Sequence, residues 1–89
     1  MIVHLTTRSR PRLRWDGGSC GWTAETSPPS IFDWRGLAID LPDRDQGFHW
    51  RVEAADMTDP DPDALVTLVS GTRPTLTAAK IAAEAAAGV

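Results

Sequence analysis

Polar and apolar positions alternate most cleanly along two neighbouring stretches, Trp34-Arg-Gly-Leu-Ala-Ile-Asp-Leu41 and Phe48-His-Trp-Arg-Val-Glu-Ala54. A period of two marks a half-buried strand, because successive side chains point to opposite faces. Laid antiparallel, the runs fall into phase. Leu41 meets Phe48, Ile39 meets Trp50 and Leu37 meets Val52 on one side; Asp40, Ala38 and Gly36 meet His49, Arg51 and Glu53 on the other. A slip of one residue would invert both faces, so the pattern predicts the register as well as the hairpin. Trp34 and Trp50 are expected in the core.

Further elements surround this hairpin. Leu13–Trp15 and Cys20–Ala24 flank Gly17-Gly18-Ser19. A Gly18-Ser19 loop suits a type II′ turn and would set Trp15 opposite Trp22, Leu13 opposite Ala24 and Arg12 opposite Glu25. Ile2–Leu5 reads as a short edge strand, and Pro28-Pro29 breaks the ladder before the apolar pair Ile31-Phe32, expected beneath the sheet. Leu65–Ser70 is apolar on both faces, as in a strand covered on both sides, and Gly71 is expected to end it. Thr75 is a good N-cap for a helix from Leu76 to about Ala87, with Gly88 as the C′ residue. Leu76, Ala79, Ala82, Ala83 and Ala86 share the face expected to meet the sheet near Trp50 and Ile39. Thr77, Lys80 and Glu84 form the outer stripe. Ile81, with Ala78 and Ala85, makes a second apolar edge, a candidate self-association surface that would give a homodimer. The fold class expected is α+β: a small, mainly antiparallel sheet of four to five strands with one C-terminal helix packed on a face.

Composition narrows the class. The chain has 89 residues, room for one domain over 1–89, with 1–12 as an edge or flexible arm and 55–64 as an acidic, proline-rich loop. Mean hydropathy is slightly negative, at −0.23, and no apolar run approaches the ~20 residues of a membrane helix. The first residues lack the apolar core of a secretion signal, and Cys20 is alone, so no internal disulfide forms; both point to a cytoplasmic protein with no membrane role. Cys20 itself reads as a small strand or turn residue, since no histidine lies near it in sequence. Eight arginines against one lysine, with no Asn and no Tyr, suggest GC-rich coding.

The chemistry-bearing motifs are few. His4 and His49 have no metal-ligand spacing with Cys or with each other. Asp59-Pro-Asp-Pro-Asp63 alternates carboxylates but lacks the glycine and terminal glutamate of a calcium loop. A triad assembled from Ser70, His49 and Asp40 has no nucleophile elbow or oxyanion loop behind it. No phosphate loop or dinucleotide fingerprint is present. These patterns lead us to expect neither an enzyme nor a bound cofactor or metal.

Charge is segregated: four of the nine basic residues fall at Arg8, Arg10, Arg12 and Arg14, and seven of the twelve acids between Asp43 and Asp63. Trp and Arg are favoured at binding hot spots, so Arg12, Arg14, Trp15 and Trp22 are the expected partner-contact residues of a protein-binding protein. The alternative is single-stranded nucleic acid held by Arg8, Arg10, Arg12 and Arg14 with Trp15 and Trp22 stacking, against which the net charge of −3 weighs.

From Phe48-His-Trp-Arg-Val52, through a strand ending Ser70-Gly71, to Thr75-Leu76 and Ala79-Lys80 at the start of an Ala-rich helix, residues 48–89 resemble small accessory proteins of bacteriophages with high-GC actinobacterial hosts. That resemblance implies a compact sheet bearing one helix, a place in the host cytoplasm, and a host or viral protein partner. It brings no active site. A minor structural component of the virion is a further reading.

Overall fold

The computed structural model describes residues 10–28, 33–42 and 47–89. Among them one antiparallel sheet runs in simple chain order, β1 (Asp16–Gly18), β2 (Gly21–Glu25), β3 (Gly36–Ile39), β4 (Phe48–Ala55) and β5 (Leu65–Arg73), followed by the helix α1 (Leu76–Ala86). The expected Ile2–Leu5 strand, Arg8, the Ile31-Phe32 pair and residues 43–46 of the central turn lie outside the described residues.

The β3–β4 pair has the register that the alternation predicts: Leu37 opposes Val52, Ala38 Arg51, Ile39 Trp50 and Gly36 Glu53. Leu37, Ile39, Trp50 and Val52 are buried and form the core with Ala79 and Ala83 of α1. One cross-sheet row runs Gly17–Trp22–Ile39–Trp50–Gly71. Its outer positions are glycine because the indoles need the space. A Cβ on Gly71 would sit 2.7 Å from Trp50 Cζ2, and one on Gly17 2.9 Å from Trp22 Nε1. Gly71 therefore seats Trp50 inside β5, and the strand continues to Arg73 instead of ending at the glycine.

The first hairpin differs from its expected register. It closes at Ser19-Cys20, with Asp16 opposite Thr23 and Gly17 opposite Trp22, so Trp15 does not face Trp22 and Arg12 does not face Glu25. Gly21 explains the shift. Its φ of +123° suits glycine, and a Cβ there would lie 2.2 Å from the Ile39 carbonyl. The close approach of β2 to β3 therefore requires glycine at this point. Trp22 meets Phe48 edge to face, with ring centroids 5.8 Å apart.

The helix begins and ends as its sequence predicts. The Thr75 hydroxyl accepts from the Ala78 N–H at 3.1 Å. At the other end the Val89 N–H reaches the Glu84 carbonyl at 2.9 Å and the Gly88 N–H reaches that of Ala85 at 3.2 Å, a Schellman closure around Gly88 at φ +83°. Its rotation about its axis is another matter. Ala79 and Ala83 face the core, but Ala86 is exposed, and Glu84, expected on the outer stripe, is fully buried. The Glu84 carboxylate accepts three bonds from the segment before β1: Arg12 N–H at 2.7 Å, Leu13 N–H at 2.8 Å and Trp15 Nε1–H at 2.9 Å. A buried acid in the last helical turn opposes both the helix dipole and the cost of desolvation; these donors offset both. The Arg12 backbone is thus tied to the helix. Lys80 carries its ammonium 5.9 Å from the Trp15 ring centroid.

Replacing Glu84 with Ala should lower unfolding free energy by about 3 kcal/mol, the cost of stranding donors that served a charged acceptor. Denaturant titration checks the magnitude, and faster hydrogen exchange at the Arg12 and Leu13 amides checks the cause.

Candidate protein-interaction surface

Strand β5 pairs with β4 on one side and, among the described residues, forms an edge of the sheet on the other. Val52 opposes Val69 and Glu53 opposes Thr67, so Leu68 is an extra, bulged residue. The apolar run is not covered on both sides as its composition suggests. Leu65 (49% exposed), Val66 (42%), Leu68 (52%) and Val69 (39%) are open to solvent. Apolar residues on both faces cannot tell a central strand from a bare edge; only the order of strands decides it. A long apolar edge is a template for another strand, and natural sheets usually blunt such edges with charge, proline or a cover. From Leu65 to Thr72, β5 carries no charge and no proline.

The acidic loop before β5 is organised by its own backbone. Asp56, Asp59 and Asp61 accept the N–H groups of Thr58 (3.0 Å), Asp61 (2.8 Å) and Asp63 (2.9 Å), as aspartates do in turns. The Asp56 carboxyl is held below its ordinary value by the Thr58 hydroxyl first and the Thr58 N–H second. Among the described residues no three His, Cys, Asp or Glu side chains gather in a metal-holding group.

The sheet face opposite α1 is polar. Arg51 donates to Asp40 Oδ1 at 2.8 Å and to Glu53 Oε1 at 3.2 Å, and His49 Nδ1 lies 3.4 Å from Asp40 Oδ2. The Arg51 bond is the largest reason the Asp40 carboxyl sits below its ordinary value, and Asp40 in turn raises Arg51. Trp34, expected in the core, lies on this side instead. Its ring passes over Gly36, where a Cβ would be 2.7 Å away, and its indole N–H donates to Glu25 at 3.0 Å. Trp34 lines an open cleft of about 740 Å³ with Arg12, Arg14, Arg51, Glu53 and Leu65.

The residues expected to contact a partner are therefore divided. Arg12 and Arg14 are exposed at the cleft, while Trp15 and Trp22 are half-buried and pack against the core. Arg10 is exposed, and Ile81 is half-buried on α1. Cys20 is exposed in the first hairpin loop. Sequence reasoning missed the β5 edge and Trp34. No local signal marked the first, because an uncharged apolar run reads as a covered strand; the small Gly36 two residues after Trp34 was a weak sign of the second. No described helix is long and apolar enough to cross a membrane. Comparison with known proteins finds no matching family model, curated protein or solved structure.

Asp40 titrates in the unfolded chain near 3.8 and lower in the folded one. Its contribution to stability is full above the unfolded value and is lost as pH falls through the folded one. Half of its side chain is exposed, so the effect is screened and small. Thermal unfolding measured from about pH 5 down to pH 2 should show a shallower loss of stability in Asp40→Asn than in the parent chain.

Proposed function

We propose that this is a non-catalytic protein-binding protein that takes up an extended segment of another chain along β5, extending its sheet by strand addition. The observation that carries the reading is a nine-residue edge strand that is uncharged from Leu65 to Thr72 and exposes four aliphatic side chains. Backbone N–H and C=O groups on such an edge supply affinity, and alternate side chains supply selectivity. The resemblance to phage accessory proteins supports a partner drawn from a phage or its host. Arg12, Arg14 and Trp34, around the cleft that reaches Leu65, would add polar and aromatic contacts at one end of the added strand.

Selection from a random peptide-display library against the immobilised chain tests this. The expected result is a set of extended peptides with alternating apolar residues, whose binding perturbs the amide resonances of β5 and is abolished by Val66→Lys. Peptides that map to the Trp15–Trp22 side, or that bind Val66→Lys undiminished, would overturn it.

A further inference from the structure

Resting on the reading of β5 as a strand-accepting edge, we infer that its occupant is a second copy of the same chain, joined antiparallel across a two-fold axis normal to the sheet. The argument is one of charge complementarity. Just before β5 stand Asp59, Asp61 and Asp63, all exposed. At its far end stands the exposed Arg73. Between them the edge is neutral and apolar. An edge that runs from negative to positive is complementary to itself only when reversed. Antiparallel pairing sets each copy's acidic end beside the other's Arg73, whereas parallel pairing sets acid against acid and arginine against arginine. Reversal across a two-fold makes the contact isologous, the arrangement most soluble homo-oligomers use.

The neighbouring features agree. The bulge at Leu68 is a device that elsewhere twists an edge away from partners, but here it adds an exposed leucine instead of a charge. The opposite edge, β1, is three residues long with two glycines, too short to serve as the main seam. Pairing through β5 makes one continuous ten-stranded sheet with both α1 helices on the same face, since a two-fold normal to the sheet preserves its faces. Leu65, Val66, Leu68 and Val69 of each copy then lose water together.

Sedimentation of the full chain over a wide concentration range tests the inference. The parent chain should form a concentration-dependent dimer. Leu68→Lys and, separately, Val66→Lys should each sediment as a monomer, with circular dichroism confirming the fold. Arg73→Asp should weaken the dimer at least tenfold, by placing like charges together. Adding Asp63→Arg to Arg73→Asp should restore most of the loss, because the swapped pair is again complementary. A parent chain that stays monomeric, a dimer that survives both lysine variants, or a charge swap that fails to rescue would overturn it. A monomeric chain whose β5 still binds display-selected peptides would sink the second copy and leave the strand-accepting edge standing; failure of both would remove the edge as well.

Discussion

A single helix cannot roof a five-stranded sheet, and the rest of the structure follows from where this one is held. With side chains a helix is about 10 Å across. Five strands spaced about 4.8 Å apart span about 19 Å between the outer two. Ala79 and Ala83, which bring almost no bulk, let α1 sink onto Leu37, Ile39, Trp50 and Val52 of the central strands. The Glu84 carboxylate then gathers residues 12–15 against the last turn. Leu13, Trp15 and Trp22 pack around the core from that direction. The helix thus lies over β3, β4 and β5 while residues 12–15 close the β2 side, and even so Leu65, Val66, Leu68 and Val69 stay open.

Features that depend on neighbours along the chain, or on one pairing, could be read from the residues. The phase of Leu37 with Val52 and of Ile39 with Trp50 is a matter of alternation alone, and Thr75 and Gly88 act within a turn of themselves. Features that depend on what a third segment does could not. Glu84 looks like a surface acid until the N–H groups of Arg12 and Leu13 arrive from more than seventy positions away. An acid in a final helical turn, where the dipole disfavours it, was the one local sign. The tryptophans exchanged roles for the same reason. Trp15 and Trp22 are drawn inward by Glu84, Gly17 and Phe48, while Trp34 finds its partner in Glu25 on the polar face.

The two edges of the sheet are treated differently. β1 is brief and contains Gly17 and Gly18, the first of which lies beneath the Trp22 ring. Such an edge offers little to a second strand. β5 is three times as long, and Gly71 within it leaves room for the Trp50 indole before the strand ends at Arg73.

The proposed strand addition at β5 agrees with the character of the other described surfaces. Face-to-face stacking on the helix side is blocked by α1 itself. Stacking on the opposite side would bury Asp40, His49, Arg51 and Glu53, whose contacts are partly made with one another but whose exposed portions still rely on water. Removing that water costs several kcal/mol per ion unless every hydrogen-bonding position is refilled. Adding a strand to β5 leaves those groups in place, extends the ladder beyond β5, and removes aliphatic surface from solvent. Growth at β5, as proposed, avoids that desolvation and covers Leu65, Val66, Leu68 and Val69.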